Sequence, residues 1–195
     1  MISWGAFDRV TGGQIVFRKL LDAIARPGKI YSIGEAAGKL NRPHAALLAA
    51  AVTLLDSRCS FFVHRDEALT QAIREATGAA ASPVDQADFL FMPQDSDSEA
   101  QRAHLPHAKT GTLAEPHRSA TFLISLNSLA GGRAVFLLGP GVDGRARTAL
   151  PDEARRWIEA RDALEVEHPR GVELFFLTPE GDVMAIPRKV RMQEA

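Results

Sequence analysis

Between Gln14 and Met92 the chain switches repeatedly between helical and extended apolar spacing, and this alternation most narrows the folds open to it. QIVFRKLLDAIAR, from Gln14 to Arg26, places Val16, Phe17, Leu20, Leu21 and Ile24 at helical spacing as one apolar stripe. Pro27-Gly28 stops it. KIYSI follows as a short strand. Asn41 is positioned to cap a second helix, with Pro43 in its first turn and HAALLAAAVTLLD running to about Asp56. SFFVH, from Ser60 to His64, reads as a strand. Asp66 caps a third helix, EALTQAIREAT, which Gly78 ends. ADFLFM is then a buried strand stopped by Pro93.

The second half is richer in strands. SATFLISL and AVFLLG flank the Gly131-Gly132 turn, and ARTAL reads as a further strand. A helix opens at Pro151-Asp152 and runs to about Val166, with Trp157, Ile158 and Leu164 on one side. VELFFL and VMAIPRKVR make a closing pair around Pro179-Glu180-Gly181-Asp182. Helices alternating with strands, then strands in succession, predict an α/β fold: a three-layer α/β/α sandwich built on a mixed sheet. Residues 1–195 read as a single domain, a length that supports a substantial core. The segment from Pro93 to Ala120 is long for a loop in such a domain, which marks it for function. Within it, Ser96 and Glu99 have capping-box spacing, so a short helix is predicted there.

Several function classes drop out early. The net charge of −1 offers no overall basic excess for nucleic acid or anionic lipid. Cys59 is the only cysteine, so the chain can form no internal disulfide and no cysteine-rich zinc or iron–sulfur site; its setting predicts a small core residue. The N-terminus lacks the pattern of a signal peptide, and no apolar run approaches the ~20 residues of a membrane span. A cytoplasmic location is the default expectation.

Candidate chemistry is sparse. Gly139 to Gly144, GPGVDG, matches the spacing of a dinucleotide fingerprint after a good strand, but an extended segment follows where a helix is required. A tight strand-to-strand turn is the expected reading, with an anion-binding nest at Gly139 and Gly141 as the intermediate one. His104, His107 and His117 lie near one another in sequence, with Glu115 close by. Pro106 breaks any helix that would align the first two, so solvated loop histidines are expected, and no metal. There is no phosphate loop, no GxSxG elbow and no HExxH. None of the five lysines suggests a Schiff base. Glu115, His117 and Arg118 enter an apolar strand together and can bind an anion or move a proton, against the plain reading of a solvated turn. Arg188, Lys189 and Arg191 suit a phosphate-rich ligand, and Arg26, Arg118 and Arg188 are candidates to converge on one. The chain thus carries no complete catalytic constellation, and its function is expected to depend on an assembly.

Taken together, FRKLLDAIARPG at Phe17–Gly28, AVTLLD at Ala51–Asp56, GTLAEPHRSATFLI at Gly111–Ile124, LLGPGV, HPRGVELFFL at His168–Leu177 and IPRKVR resemble the PhnH family. These pieces stand in family order over nearly the whole chain. The resemblance implies a subunit of the carbon–phosphorus lyase core complex, acting with PhnG, PhnI and PhnJ, and with PhnK and PhnL associated. It implies a part in joining alkylphosphonate to the ribose of ATP, giving alpha-D-ribose 1-methylphosphonate 5-triphosphate. The role is structural or substrate-handling rather than catalytic alone. It implies a homodimer in isolation and a fold similar to the large domain of pyridoxal-phosphate (PLP) transferases, without that cofactor. The iron–sulfur cluster and S-adenosylmethionine belong to PhnJ. The chain differs from the family habit at Ala114-Glu115, where an aromatic residue is common, and at Arg188-Lys189-Val190-Arg191. No catalytic residue carries over. The alternative is a stand-alone enzyme using Glu115, His117 and Arg118 on a phosphate ligand.

Overall fold

The computed structural model describes residues 6–95, 97–164 and 166–195. In chain order the elements are α1 (Thr11–Ala25), β1 (Tyr31–Ser32), α2 (Gly34–Gly38), α3 (Ala45–Leu54), β2 (Ser60–Val63), α4 (Glu67–Thr77), β3 (Ala80–Ala81), β4 (Phe89–Met92) and α5 (Ser98–Arg102). Two 3₁₀ turns, Leu105–His107 and Pro116–Arg118, lead into β5 (Thr121–Ser125), β6 (Arg133–Leu138), β7 (Ala146–Leu150), α6 (Asp152–Asp162), β8 (Glu173–Leu177), β9 (Asp182–Ile186) and β10 (Arg191–Glu194).

The strands form a seven-stranded sheet in the order β1-β9-β8-β5-β4-β2-β3 and a three-stranded sheet in the order β10-β6-β7. In the larger sheet β8, β5, β4, β2 and β3 are mutually parallel, while β9 runs antiparallel to both β8 and β1. The smaller sheet is antiparallel throughout. The fold is therefore α/β with a mixed sheet.

Side-chain alternation along the strands divides the interior in two. Phe61, Phe91, Leu123, Phe175, Val183 and Ala185 face a core shared with α1–α4. Leu90, Met92, Phe122, Ile124, Leu174, Phe176, Met184 and Ile186 face a second core, against Trp157 and Ile158 of α6 and Val135, Leu137 and Leu150 of the small sheet. The third layer is thus a helix plus a sheet, not the purely helical layer that the alternation predicts.

One clamp joins the two sheets. Arg161 on α6 is 4% exposed; its guanidinium donates to the carbonyl oxygens of Ile186 (3.3 Å), Pro187 (2.9 Å) and Val190 (2.6 Å) and to Asp162 Oδ1. It holds the segment that carries the chain from β9 to β10. That segment corrects the predicted strand VMAIPRKVR: pairing stops at Ile186, and Arg191 starts a strand in the other sheet. SATFLISL and AVFLLG are likewise strands of different sheets rather than neighbours across Gly131-Gly132.

Other expectations meet the structure unevenly. Asp66 caps α4 by accepting from the Leu69 N–H (2.8 Å), and Gly78 ends the helix at φ +73°. α1 starts at Thr11, where Asp8 accepts from the N–H groups of Val10 and Thr11 (both 3.0 Å). Its predicted stripe splits: Val16 and Leu20 are buried, but Phe17 and Leu21 are 49% and 54% exposed. α3 is shorter than predicted, and its N-cap is His44 in a left-handed conformation, not Asn41. Ser96 lies outside the described residues; the cap of α5 is Asp97, which accepts from the Ala100 N–H (3.0 Å). Cys59 is only partly buried, at the edge of the first core.

Candidate functional site at the carboxyl edge of the sheet

Parallel strands bring their carboxyl ends to one edge of a sheet, and ligands collect where neighbouring strands send their connections in opposite directions. That point lies between β2 and β4. From β2 the chain passes through α4 to β3 on one side, whereas from β4 it passes through α5 to β5 on the other. α4 packs in the first core, while Leu105 and Ala108, beyond α5, pack in the second. The two crossovers leave on opposite faces and open a crevice between them.

The residues at this crevice are polar. His64 follows β2 and is 4% exposed. Its Nδ1 lies 2.9 Å from Nε2 of His104, and its Nε2 lies 3.4 Å from Asp95 Oδ2 without an aligned hydrogen bond. Burial pushes His64 below the ordinary histidine range, with Arg65 adding to the effect and Asp95 opposing it. Burial does the same to His104, aided by His64, His107 and Arg65. Two neutral imidazoles in contact are the result. The Phe62 ring lies edge-on to His104 at 4.9 Å between centroids.

Beside this chain of groups runs a groove. One hollow of about 210 Å³ is lined by Gln94, Asp95, Gln101, Ser125, Asn127 and Glu153, among others. A second, of about 250 Å³, shares Gln94 and Ser125 and adds Arg42, His44 and Thr178. A third, of about 260 Å³, shares Arg42 and His44 and continues past Asp66 between α3 and α4. Gln101 is fixed by its donation to the Pro93 carbonyl (2.6 Å), and Gln94 by its bond to Asn127. His44 Nε2 sits 3.0 Å from Asp66 Oδ2. Among the described residues, the non-glycine residues at positive φ are Asn41, His44 and Arg65, at 48°, 54° and 48°. His44 lines this groove, and Asn41 and Arg65 adjoin residues that do. Such backbone costs energy, and strain of this kind gathers at binding sites.

The residues singled out from sequence lie elsewhere. Glu115, His117 and Arg118 precede β5, and Glu173 opens β8, so they occupy the amino edge of the sheet. Arg118 Nε pairs with Glu115 (3.0 Å) and is 70% exposed. Arg188 donates to Glu173 and to the Pro116 carbonyl, latching the 3₁₀ turn to β8. Arg188 and the Glu115–Arg118 turn are therefore together. Arg26 pairs instead with Asp22 (2.6 Å) and shares no partner with either. Gly139 and Gly141 make the turn between antiparallel β6 and β7. A Cβ on Gly139 would meet the Lys189 carbonyl at 2.6 Å, and one on Gly141 the Ala25 carbonyl at 2.7 Å. Close backbone approach accounts for both glycines. Arg188 also borders a hollow with Arg161, Arg170 and Arg191, but at about 20 Å³ it has room for one water and not for phosphate.

Sequence reasoning missed His64, Asp95, Gln94 and His44. The available signal was position: His64 closes one predicted strand and Asp95 follows another by three residues, where a parallel sheet presents its ligand-facing groups.

Comparison with known proteins supplies the wider setting. A model of the bacterial phosphonate metabolism protein family, PhnH, matches residues 5–193. A protein of Rhizobium meliloti (strain 1021), alpha-D-ribose 1-methylphosphonate 5-triphosphate synthase subunit PhnH, is 30% identical over 97% of this chain and 94% of its own length. A putative C-P lyase subunit protein, HtxG, of Stutzerimonas stutzeri is 25% identical over 90% of this chain and 83% of its own. With the family model matched over residues 5–193, the chain belongs to the PhnH family of bacterial phosphonate metabolism proteins.

Proposed function

We propose that the chain is a subunit of the assembly that makes alpha-D-ribose 1-methylphosphonate 5-triphosphate in phosphonate breakdown. The observation that carries this is the family match over residues 5–193, joined to the synthase-subunit name of the Rhizobium relative. The partners would be PhnG, PhnI and PhnJ, with PhnK and PhnL associated, in the cytoplasm. Two features support work within an assembly. Among the described residues, the carboxyl-edge groove has no nucleophile hydrogen-bonded to a base. α1 also leaves Val10, Phe17 and Leu21 exposed at helical spacing, 81%, 49% and 54%.

The charge around that stripe selects the kind of partner. Arg18, Lys19 and Arg26 stand against Asp22 alone on and just beyond α1, so an acidic, apolar surface on another subunit fits it. A second copy would set like charges together, which argues that a homodimer of the isolated chain uses another face. We further propose that the chain holds no PLP even if its sheet shares ancestry with the PLP transferases. A Schiff-base lysine needs a desolvated setting, and none of the five lysines is buried.

Co-expression with PhnG, PhnI and PhnJ tests the proposal. The chain is expected to co-purify with them, and Leu21→Asp to weaken that association at least tenfold. Failure of the unmodified chain to join them would overturn it. A stand-alone enzyme binding a phosphate ligand through Glu115, His117 and Arg118 is the second reading, favoured by the exposure of Arg118. The isolated chain turning over ATP with methylphosphonate would support it.

A further inference from the structure

We propose that Asp95, His64 and His104 form a proton relay that serves the groove, carrying a proton from a ligand hydroxyl to solvent. The inference rests on the proposed function and on the groove's place at the switch point of the sheet, where ligands collect.

Among the described residues that line it, the hollow that Asp95 borders has amide, hydroxyl and carboxylate groups and no cationic side chain; its walls include Gln94, Gln101, Ser125, Asn127 and Glu153, the last paired with Arg102 at 3.6 Å. Such walls suit the hydroxyl groups of a sugar-like ligand rather than phosphate oxygens. Asp95 is the group that reaches both this hollow and the buried His64. His64 in turn meets His104, which is half-buried and borders the exposed His107. The contacts therefore run in series from groove wall to surface.

The proton count closes with one tautomer. His64 carries its proton on Nδ1 and donates it to Nε2 of His104, which carries its own on Nδ1. His64 Nε2 is then a bare lone pair, consistent with its lack of an aligned bond. When the ligand O–H breaks, its electron pair stays on oxygen and the proton goes to Asp95. Asp95 passes a proton to His64 Nε2, the Nδ1 proton of His64 moves to His104 Nε2, and His104 releases its Nδ1 proton to water. The rings regain their starting tautomers when His104 Nδ1 takes a proton from water and the shifts run backward, so that Asp95 delivers that proton to an oxygen of the product in the groove. Arg65 from the β2–α4 connection, Asp95 and Asp97 from the segment after β4, and His107 from the 3₁₀ turn are the charged or titratable groups that act on the pair. Burial keeps both rings neutral near pH 7, so that each can accept.

The test has two arms. In the isolated chain with ¹⁵N-labelled histidine, long-range proton–nitrogen spectra should show His64 protonated on Nδ1. His64 and His104 should titrate as a coupled pair below the ordinary midpoint of about 6.5. Independent titration with ordinary midpoints would overturn the relay. In the co-purified assembly, Asp95→Asn and His104→Asn should each lower turnover of ATP with methylphosphonate by about 100-fold or more. KM should change little and the acid limb of the pH profile should move, with subunit stoichiometry intact. Turnover within about twofold of the unmodified complex would also overturn it. Asp95 lies on the groove wall, so its variant serves if His104→Asn fails to fold. If the chain never joins its partners, the proposed function falls, while the spectroscopic arm still decides the relay.

Discussion

Replacing Arg161 with Met should remove the clamp between the two sheets. The methionine chain fills much of the same space, so the change isolates the polar contacts. Three main-chain carbonyls, of Ile186, Pro187 and Val190, lose the guanidinium as a donor, and Pro187 keeps the Val190 N–H at 2.9 Å. Asp162 keeps its second partner, Arg191, at 2.9 Å. A buried carbonyl that loses its donor costs about 1–3 kcal/mol, and each bond from a charged donor contributes about 1.5–3 kcal/mol. Geometry at 3.3 Å makes the Ile186 contact the weakest of the three. The expected loss is about 3–5 kcal/mol, a large share of the roughly 5–15 kcal/mol by which domains are stable. Urea unfolding followed by tryptophan fluorescence measures it, since Trp157 sits on the same helix. With a slope near 2–3 kcal/mol/M, the midpoint should fall by roughly 1.5 M while the slope holds. Arg161→Lys should fall in between, because one ammonium cannot reach all three oxygens in the fork geometry of arginine. A midpoint within about 0.3 M of the unmodified chain would refute the idea that these bonds hold the sheets together.

Other changes test other parts of the fold. Asp66→Ala removes the cap of α4 and should cost about 1 kcal/mol in the same assay. Gly181→Ala places a Cβ at φ +90°, 2.5 Å from Gly34 Cα, and should cost at least ~2 kcal/mol or prevent accumulation of soluble protein. Trp157→Ala empties a fully buried site against Phe122 and should lower stability by about 3–5 kcal/mol. His64 and His104 have depressed midpoints, so the unfolded chain binds more protons than the folded one just below pH ~6.5. Their contribution is full above that pH and is lost as pH falls through the folded midpoints. Stability measured from pH 7.5 to 5 should decline, and His104→Asn should flatten the decline.

The elements most legible in the sequence were those whose signals are local. Asp66 and Gly78 bracket α4 because a carboxylate accepts from the helix N–H groups at one end and glycine takes the left-handed turn at the other. SFFV and FLFM are short, bulky and bounded by turn residues, and both are strands. β1 and β3 have two residues each, too few for any period to register. The stripe on α1 misled because spacing cannot tell a side buried in the chain from a side left for something else: Leu20 and Leu21 are both leucine, and their fates differ. The site was the least visible part. His64 and Asp95 are separated by a helix and two strands, and only the order β4-β2-β3 makes their strand ends the switch point. The cluster Glu115, His117 and Arg118 drew notice because it is compact in sequence, yet it stands at the opposite edge.

The large sheet ends on each side in a strand of two residues, Tyr31–Ser32 and Ala80–Ala81. A foreign strand seeking a template finds too few open backbone groups there to zip onto. The central parallel strands are among the most apolar stretches of the chain, the kind of segment that seeds fibres when exposed. Capping them with stubs takes that template away from both ends of the large sheet. At the large sheet a partner therefore meets side chains on helices and in grooves, which are specific, and not open backbone, which would accept any neighbour.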